Sequence, residues 1–166
     1  LELRVADACT HLSDSIALAM LYRCLVRAHV RRPELGARRS TATRRLIDEN
    51  LWRAQRYGFA AEFIDEIRDR SVPVPQLLAE ALELVAEDAH ALGADDALQT
   101  LPTILERGTS AHEQLAHYAA SRDAGAGHLQ ALRAVVNWLL ATTLSDGTLT
   151  APTMRATLTP SHQTRR

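Results

Sequence analysis

Leu1-Glu2-Leu3-Arg4-Val5-Ala6-Asp7 opens the chain, and its alternation of apolar and charged residues is the period-two pattern of a β-strand with one buried face. On such a strand Glu2 and Arg4 share a face, about 7 Å apart. A strand needs neighbours to satisfy its backbone groups, and the rest of the chain offers no convincing partner sheet. The chain has no initiator Met. The expectation is a C-terminal piece of a larger protein, whose missing N-terminal portion supplies the sheet that receives Glu2 and Arg4.

Outward from that strand the pattern turns helical. After a loop, Ala8 to Leu12, Ser13 is a candidate N-cap and Asp14 suits the positive helix end. The helix to about Arg32 begins apolar all round, with Ile16, Leu18, Met20, Leu21, Leu25 and Val26, and Pro33 stops it. Ser40 or Thr41 caps a second helix that runs to Tyr57 and closes at Gly58, with Leu46, Ile47, Leu51 and Ala54 as its apolar stripe. Glu62-Phe63-Ile64 and Ser71-Val72-Pro73-Val74 read as two short extended arms, a candidate small β-hairpin. Pro75 opens the next helix, which carries the clearest period in the chain (Leu77, Leu78, Ala81, Leu82, Val85, Ala89) and ends at Gly93. Asp95 or Asp96 starts a shorter helix that Pro102 should kink or split. Ser110 and Glu113 match a capping box for the helix carrying Leu115 and Tyr118. The last helix carries Leu129, Leu132, Val135, Val136 and Leu139. From Ser145 onward the period is lost, so 1–144 reads as the ordered unit and 145–166 as a disordered tail.

Composition narrows the function classes. The chain has 166 residues, 46% of them hydrophobic, enough for one domain with a core, and only 4% are aromatic, so that core is aliphatic. The formal net charge of −1 gives no global attraction to nucleic acid or membrane. All 19 basic residues are Arg, which removes Lys from any catalytic role in this segment. Cys9 and Cys24 form neither a CxxC motif nor a metal pattern, which fits a reducing cytoplasm. The longest apolar run, Ile16 to Tyr22, is far short of the roughly 20 residues that cross a bilayer. The seven histidines are scattered, and the arginines between 31 and 45 lack interleaved aromatics, so they read as a solvated linker and helix ends.

Taken on periodicity alone, Glu2 and Arg4 are either a half-buried ion pair at a sheet end or a metal- and phosphate-handling pair. Carboxylate oxygens suit Mg²⁺, and a guanidinium fork suits phosphate or carboxylate. Asn50, Arg53 and Tyr57 fall on one helical stripe by their i, i+3, i+7 spacing. They either line a cleft or hold a neighbouring loop. Trp52 points elsewhere around that helix and reads as packing, and Arg56 as a surface group.

Glu49-Asn50-Leu51-Trp52-Arg53-Ala54-Gln55-Arg56-Tyr57-Gly58 resembles the Glu-Asn-x-Trp-Arg-Ala-x-Arg-Tyr-Gly block of the bacterial carboxylate-amine ligases, the type 2 glutamate–cysteine ligases of the glutamine synthetase superfamily. The opening Glu-x-Arg-x-x-Asp, then Ala61-Glu62-Phe63-Ile64-Asp65, then Gly108-Thr109-Ser110-Ala111 followed by Gln114, fit that family in the same order. The resemblance covers residues 1–144. It implies a mainly α piece with one N-terminal strand, the helical C-terminal portion of a glutamine synthetase-like α+β catalytic fold. It implies amide formation through an acyl phosphate, with ATP and Mg²⁺ (or Mn²⁺), between glutamate or another carboxylate and an amine such as cysteine. Glu2 then corresponds to a metal ligand, Arg4 and Arg53 to catalytic groups, and Arg4, Asn50, Arg53 and Tyr57 to substrate-binding groups. Asp7 is a weaker candidate that could cap the following loop. The resemblance is compatible with a homodimer but leaves the oligomeric state open, and a fragment without the nucleotide site and most metal ligands of that family is expected to be inactive alone. The alternative is a non-catalytic helical accessory module.

Overall fold

A computed structural model describes residues 6, 8–37 and 40–146. The elements run α1 (Leu12–Arg31), α2 (Thr43–Tyr57), β1 (Glu62–Asp65), β2 (Arg70–Pro73), α3 (Val74–Leu92), α4 (Asp95–Leu98), α5 (Thr100–Arg107), α6 (Ser110–Asp123) and α7 (His128–Asp146). The fold is mainly α, as the sequence predicts, and the two extended arms form an antiparallel hairpin with Phe63 opposite Val72 and Ile64 opposite Ser71. The expected opening strand lies outside the described residues, apart from Ala6, which is exposed and in no regular element, and so does everything after Asp146. Ser145 and Asp146 belong to α7, so the expected tail boundary falls inside a helix.

The core is the seam between α1 and α3. Ala17, Cys24 and Ala28 of α1 and Val85 of α3 are fully buried, and Ala89 nearly so. Positions 17, 24 and 28 form one stripe at helical spacing. Their small side chains let α3 approach closely, while Leu18, Leu21, Leu25, Leu78 and Leu82 fill the flanks. Ala94, Leu98 and Leu101 close the seam from the α4–α5 side. The helix break expected at Pro102 falls instead at Gln99, between α4 and α5. Pro102 occupies the first turn of α5, where a missing N–H removes no helical bond.

One buried carboxylate ties the far ends of that seam. Asp88 of α3 is 0% exposed and accepts from Arg27, from Arg31 Nη1 at 3.0 Å and from Arg32 Nη2 at 3.2 Å. Arg32 Nη2 also donates to the Leu84 carbonyl at 2.7 Å. These guanidinium groups sit at the C-terminal end of α1, where the helix dipole favours positive charge. Burial pushes the Asp88 carboxyl up, but hydrogen bonds from Arg31 and Arg27, with their charges, outweigh it and hold the group below its ordinary value of 3.8.

Two apolar expectations fail. The predicted α2 stripe is not a core face: Ile47 is 56% exposed and Leu51 39%. On α7, Leu129, Leu132 and Val136 are also exposed, while Ala131 turns inward against the rest of the molecule. Both helices are apolar over more of their circumference than the described residues cover.

Two outcomes follow from the seam. Ala28→Leu should overpack it and cost about 1–3 kcal/mol in denaturant unfolding. A lowered folded pKa gives a stabilisation complete above the ordinary value of 3.8 and lost as pH falls through the lower folded value. Asp88→Asn should therefore lower the melting temperature at neutral pH and flatten its fall below about pH 4. An acid limb equally steep in both proteins contradicts this reading.

Candidate functional site

Residues 40–73 form a unit in which α2 and the hairpin are joined by polar groups. Asn50 pairs with the peptide of Ile64 in β1, donating from Nδ2 to its carbonyl at 2.9 Å and accepting its N–H on Oδ1 at 2.7 Å. Arg53 Nε donates to Glu49 at 2.8 Å, and its Nη1 donates to the Glu62 carbonyl at 3.0 Å and to Ser71 Oγ at 3.4 Å. One guanidinium thus touches the helix and both strands. At the other end Glu66, in the hairpin turn, accepts from the hydroxyls of Ser40 and Thr43, and those bonds hold its carboxyl below the usual range. Ser40 is therefore not the residue at the helix boundary, which is Ala42; it shapes the turn before α2 by accepting the Ala42 N–H. Arg68 grips Glu80 of α3 through two bonds, at 3.0 and 2.8 Å.

This unit encloses an open pocket of about 360 Å³, lined by Glu49, Trp52, Arg53, Tyr57, Ala60, Ala61 and Glu62. Trp52 was expected to point away from Arg53 and Tyr57; it lines the same pocket. Its ring meets Tyr57 edge to face, with centroids 5.7 Å apart. Both aromatics are about half exposed. Arg56 lies over the Tyr57 ring at 5.6 Å. Gly58 makes the turn beneath them at φ 55°, a left-handed conformation that a side chain disfavours. Two carboxylates, one guanidinium and two aromatic faces can hold a small polar molecule that has an apolar part.

A second polar cluster gathers where the chain enters α1. Asp14, 5% exposed, accepts from Arg107 of α5. Arg107 Nε lies 3.6 Å from Glu113 Oε2, and that oxygen lies 3.2 Å from His11 Nε2. The hydroxyls of Thr10 and Ser110 share a hydrogen bond of 2.5 Å, and Gln114 Nε2 donates to Ser110 at 3.0 Å. The expected box of Ser110 and Glu113 is displaced by one residue: the N-cap of α6 is Thr109, whose N–H donates to His112 Nδ1 at 3.1 Å. Ser110 and Glu113 bind the residues before α1 instead. The first helix likewise starts at Leu12, with His11 at the boundary, so Ser13 lies inside its first turn.

Of the expected site residues, Arg53 and Tyr57 share the pocket, and Asn50 holds the hairpin beside it. Glu2, Arg4 and Asp7 lie outside the described residues. Among the described residues no group of three His, Cys, Asp or Glu side chains could hold a metal ion. No helix among them is long and apolar enough to cross a membrane. Sequence reasoning missed Glu49 and Arg107. The i, i+4 spacing of Glu49 and Arg53 is a readable signal; nothing local marks Arg107.

The model of glutamate–cysteine ligase family 2 matches residues 1–137. The chain belongs to that family. A protein of Rhodospirillum rubrum named "Putative glutamate--cysteine ligase 2" is 44% identical over 145 residues, covering 87% of this chain and 37% of that protein. Proteins of the same name are 39% identical over 157 residues in Bradyrhizobium diazoefficiens (93% of this chain, 35% of that one) and 41% identical over 140 residues in Jannaschia sp. (84% and 37%). The chain thus spans little more than a third of the length of these relatives. No solved structure matches it. The matched span includes both polar clusters and the block from Glu49 to Gly58.

Asn50→Ala leaves the Ile64 N–H and carbonyl without their side-chain partner, which should cost about 1–3 kcal/mol locally. Amide exchange should quicken at Ile64 and stay unchanged at Val85. Equal rates at Ile64 in both proteins contradict the clamp.

Proposed function

We propose that this chain is the C-terminal region of an ATP-dependent carboxylate-amine ligase of the glutamate–cysteine type. The observation that carries the reading is the family match over 1–137, which takes in the Glu2–Arg4 pair and the pocket of Arg53 and Tyr57 together. The chemistry demands that several anionic oxygens share a small volume. Glu2 is a metal ligand in this proposal, and its companions come from the rest of the ligase, since the described residues do not form a metal group by themselves. When bound, Mg²⁺ or Mn²⁺ neutralises the phosphate oxygens of ATP. Arg4 holds the transferred phosphate or the substrate carboxylate by a two-point contact. Arg53 and Tyr57 border the substrate, and Asn50 fixes the strand edge behind them.

The substrates are glutamate or another carboxylate and an amine such as cysteine. This reading places the enzyme in the cytoplasm, which the two free thiols support, and admits a homodimer. The fragment alone is inactive. A non-catalytic helical module is the second reading, favoured by the exposed aliphatic residues of α7, which offer a docking face.

Glu2→Ala in the full-length protein separates the two. Metal-dependent ATP turnover should vanish while the circular dichroism spectrum and melting curve stay those of the parent. Turnover at the parent rate removes Glu2 from the site, and a parent protein with no ligase activity on any amine favours the module.

A further inference from the structure

We propose that the pocket beside Trp52 receives the amine of the two substrates, and that it holds this ligand as an ammonium group against the Trp52 indole, with the carboxylates of Glu49 and Glu62 as counter-charges. The inference deepens the ligase reading just given and rests on it for the ligand's role. The sign of the ligand's charge follows from the pocket alone.

The lining disfavours an anion. Among the described residues Arg53 is the one cation that lines the pocket, against two carboxylates. Its guanidinium is already committed: Nε donates to Glu49 Oε1 at 2.8 Å, and Nη1 to the Glu62 carbonyl at 3.0 Å and Ser71 Oγ at 3.4 Å. An incoming carboxylate or phosphate would compete for those bonds and lie beside two groups of its own sign. Glu49 answers Arg53 yet stays 43% exposed along its side chain. Glu62 meets Arg53 through its backbone carbonyl, so its exposed side chain keeps its charge for a ligand. A cleft lined by excess negative charge raises the local concentration of cations.

The aromatic pair sharpens that preference. Glu49 and Trp52 stand at i, i+3 on α2, which puts carboxylate and indole on neighbouring positions of one face. The ring planes of Trp52 and Tyr57 meet at 87°. Tyr57 already has a cation on its ring, the Arg56 guanidinium at 5.6 Å. Arg56 is exposed and outside the lining, where solvent and salt screen it. Trp52, the residue type that attracts cations most strongly, has no such cation among the described residues. An ammonium against its indole gains from the ring and from both carboxylates, and the half-exposed aromatic surface covers the ligand's apolar part. The volume of about 360 Å³ lies near the lower end of small-molecule sites, roughly 300–1,000 Å³, which suits a short amine better than a nucleotide. The wall is set before the ligand arrives, because Asn50 and Arg53 fix α2 to the hairpin.

The test is isothermal titration of the full-length protein, without ATP or Mg²⁺, with two probes of one shape and opposite charge: 2-phenylethylammonium and 3-phenylpropanoate. The cation should bind about tenfold tighter or more. Trp52→Leu and Glu62→Gln should each weaken it by about fivefold or more and leave the anion within about twofold. Both side chains are exposed enough that the variants keep the parental melting curve. In turnover assays Trp52→Leu should raise KM for the amine, with KM for ATP and for the carboxylate within about twofold. Anion binding as tight as the cation's overturns the inference and makes the pocket a carboxylate or phosphate site on Arg53. Cation binding that neither variant weakens overturns it as well, since the probe then sits elsewhere. Glu2→Ala separates the two layers. Loss of ATP turnover there, with no ammonium binding at Trp52, removes only this inference. Ammonium binding at Trp52 in a parent protein without ligase activity keeps the cation site and removes the ligase reading beneath it.

Discussion

A buried carboxylate facing three guanidinium groups is the constraint on which this molecule is built. Asp88 can be 0% exposed only because Arg27, Arg31 and Arg32 converge on it, and those three arrive together because α1 ends there. Breaking such a pair leaves an uncompensated charge in the interior, which the fold tolerates poorly. With α1 and α3 locked, both candidate sites inherit their positions. The hairpin runs straight from Pro73 into Val74 of α3, so α3 carries the hairpin and the pocket beside it. The opposite end of α1 carries Thr10, His11 and Asp14 to the first turn of α6.

The pocket unit is held differently from the core. No residue of α2 is fully buried. The helix is fastened by Asn50 on a peptide, Arg53 on two strands, and Glu66 on Thr43 and on Ser40 in the turn before it. Directional bonds of this kind fix side chains at set angles without apolar burial, and they leave Trp52 and Tyr57 open at the rim. Such an arrangement suits one wall of the substrate site proposed above.

Much of this was legible in the sequence for local reasons. The periods of α1 and α3, the stop at Gly93 and the hairpin arms are set by neighbours within a few residues, and they stand where expected. The block from Glu49 to Gly58 is also local, and it does form one side of a pocket. The misreadings share a different cause. Ser110 and Glu113 have the spacing of a capping box, yet their partners Thr10 and His11 lie 100 and 102 positions away. Arg107 meets Asp14 across 93 positions. Competition between a local and a distant partner leaves no trace in spacing. The exposure of Ile47 and Leu51 was likewise unreadable, because an apolar stripe specifies that a face wants cover and not which element provides it. The stretch with Glu2 and Arg4, expected to be a strand, lies outside the described residues.

The central functional claim is that the full-length enzyme activates a carboxylate by phosphorylation before an amine attacks it. The most direct measurement starts from a carboxylate substrate labelled with heavy oxygen and follows the label into released phosphate by mass spectrometry. An acyl phosphate leaves one substrate oxygen on phosphate in each turnover, so phosphate should carry one heavy oxygen for every amide formed. Amide formation with unlabelled phosphate would contradict the account.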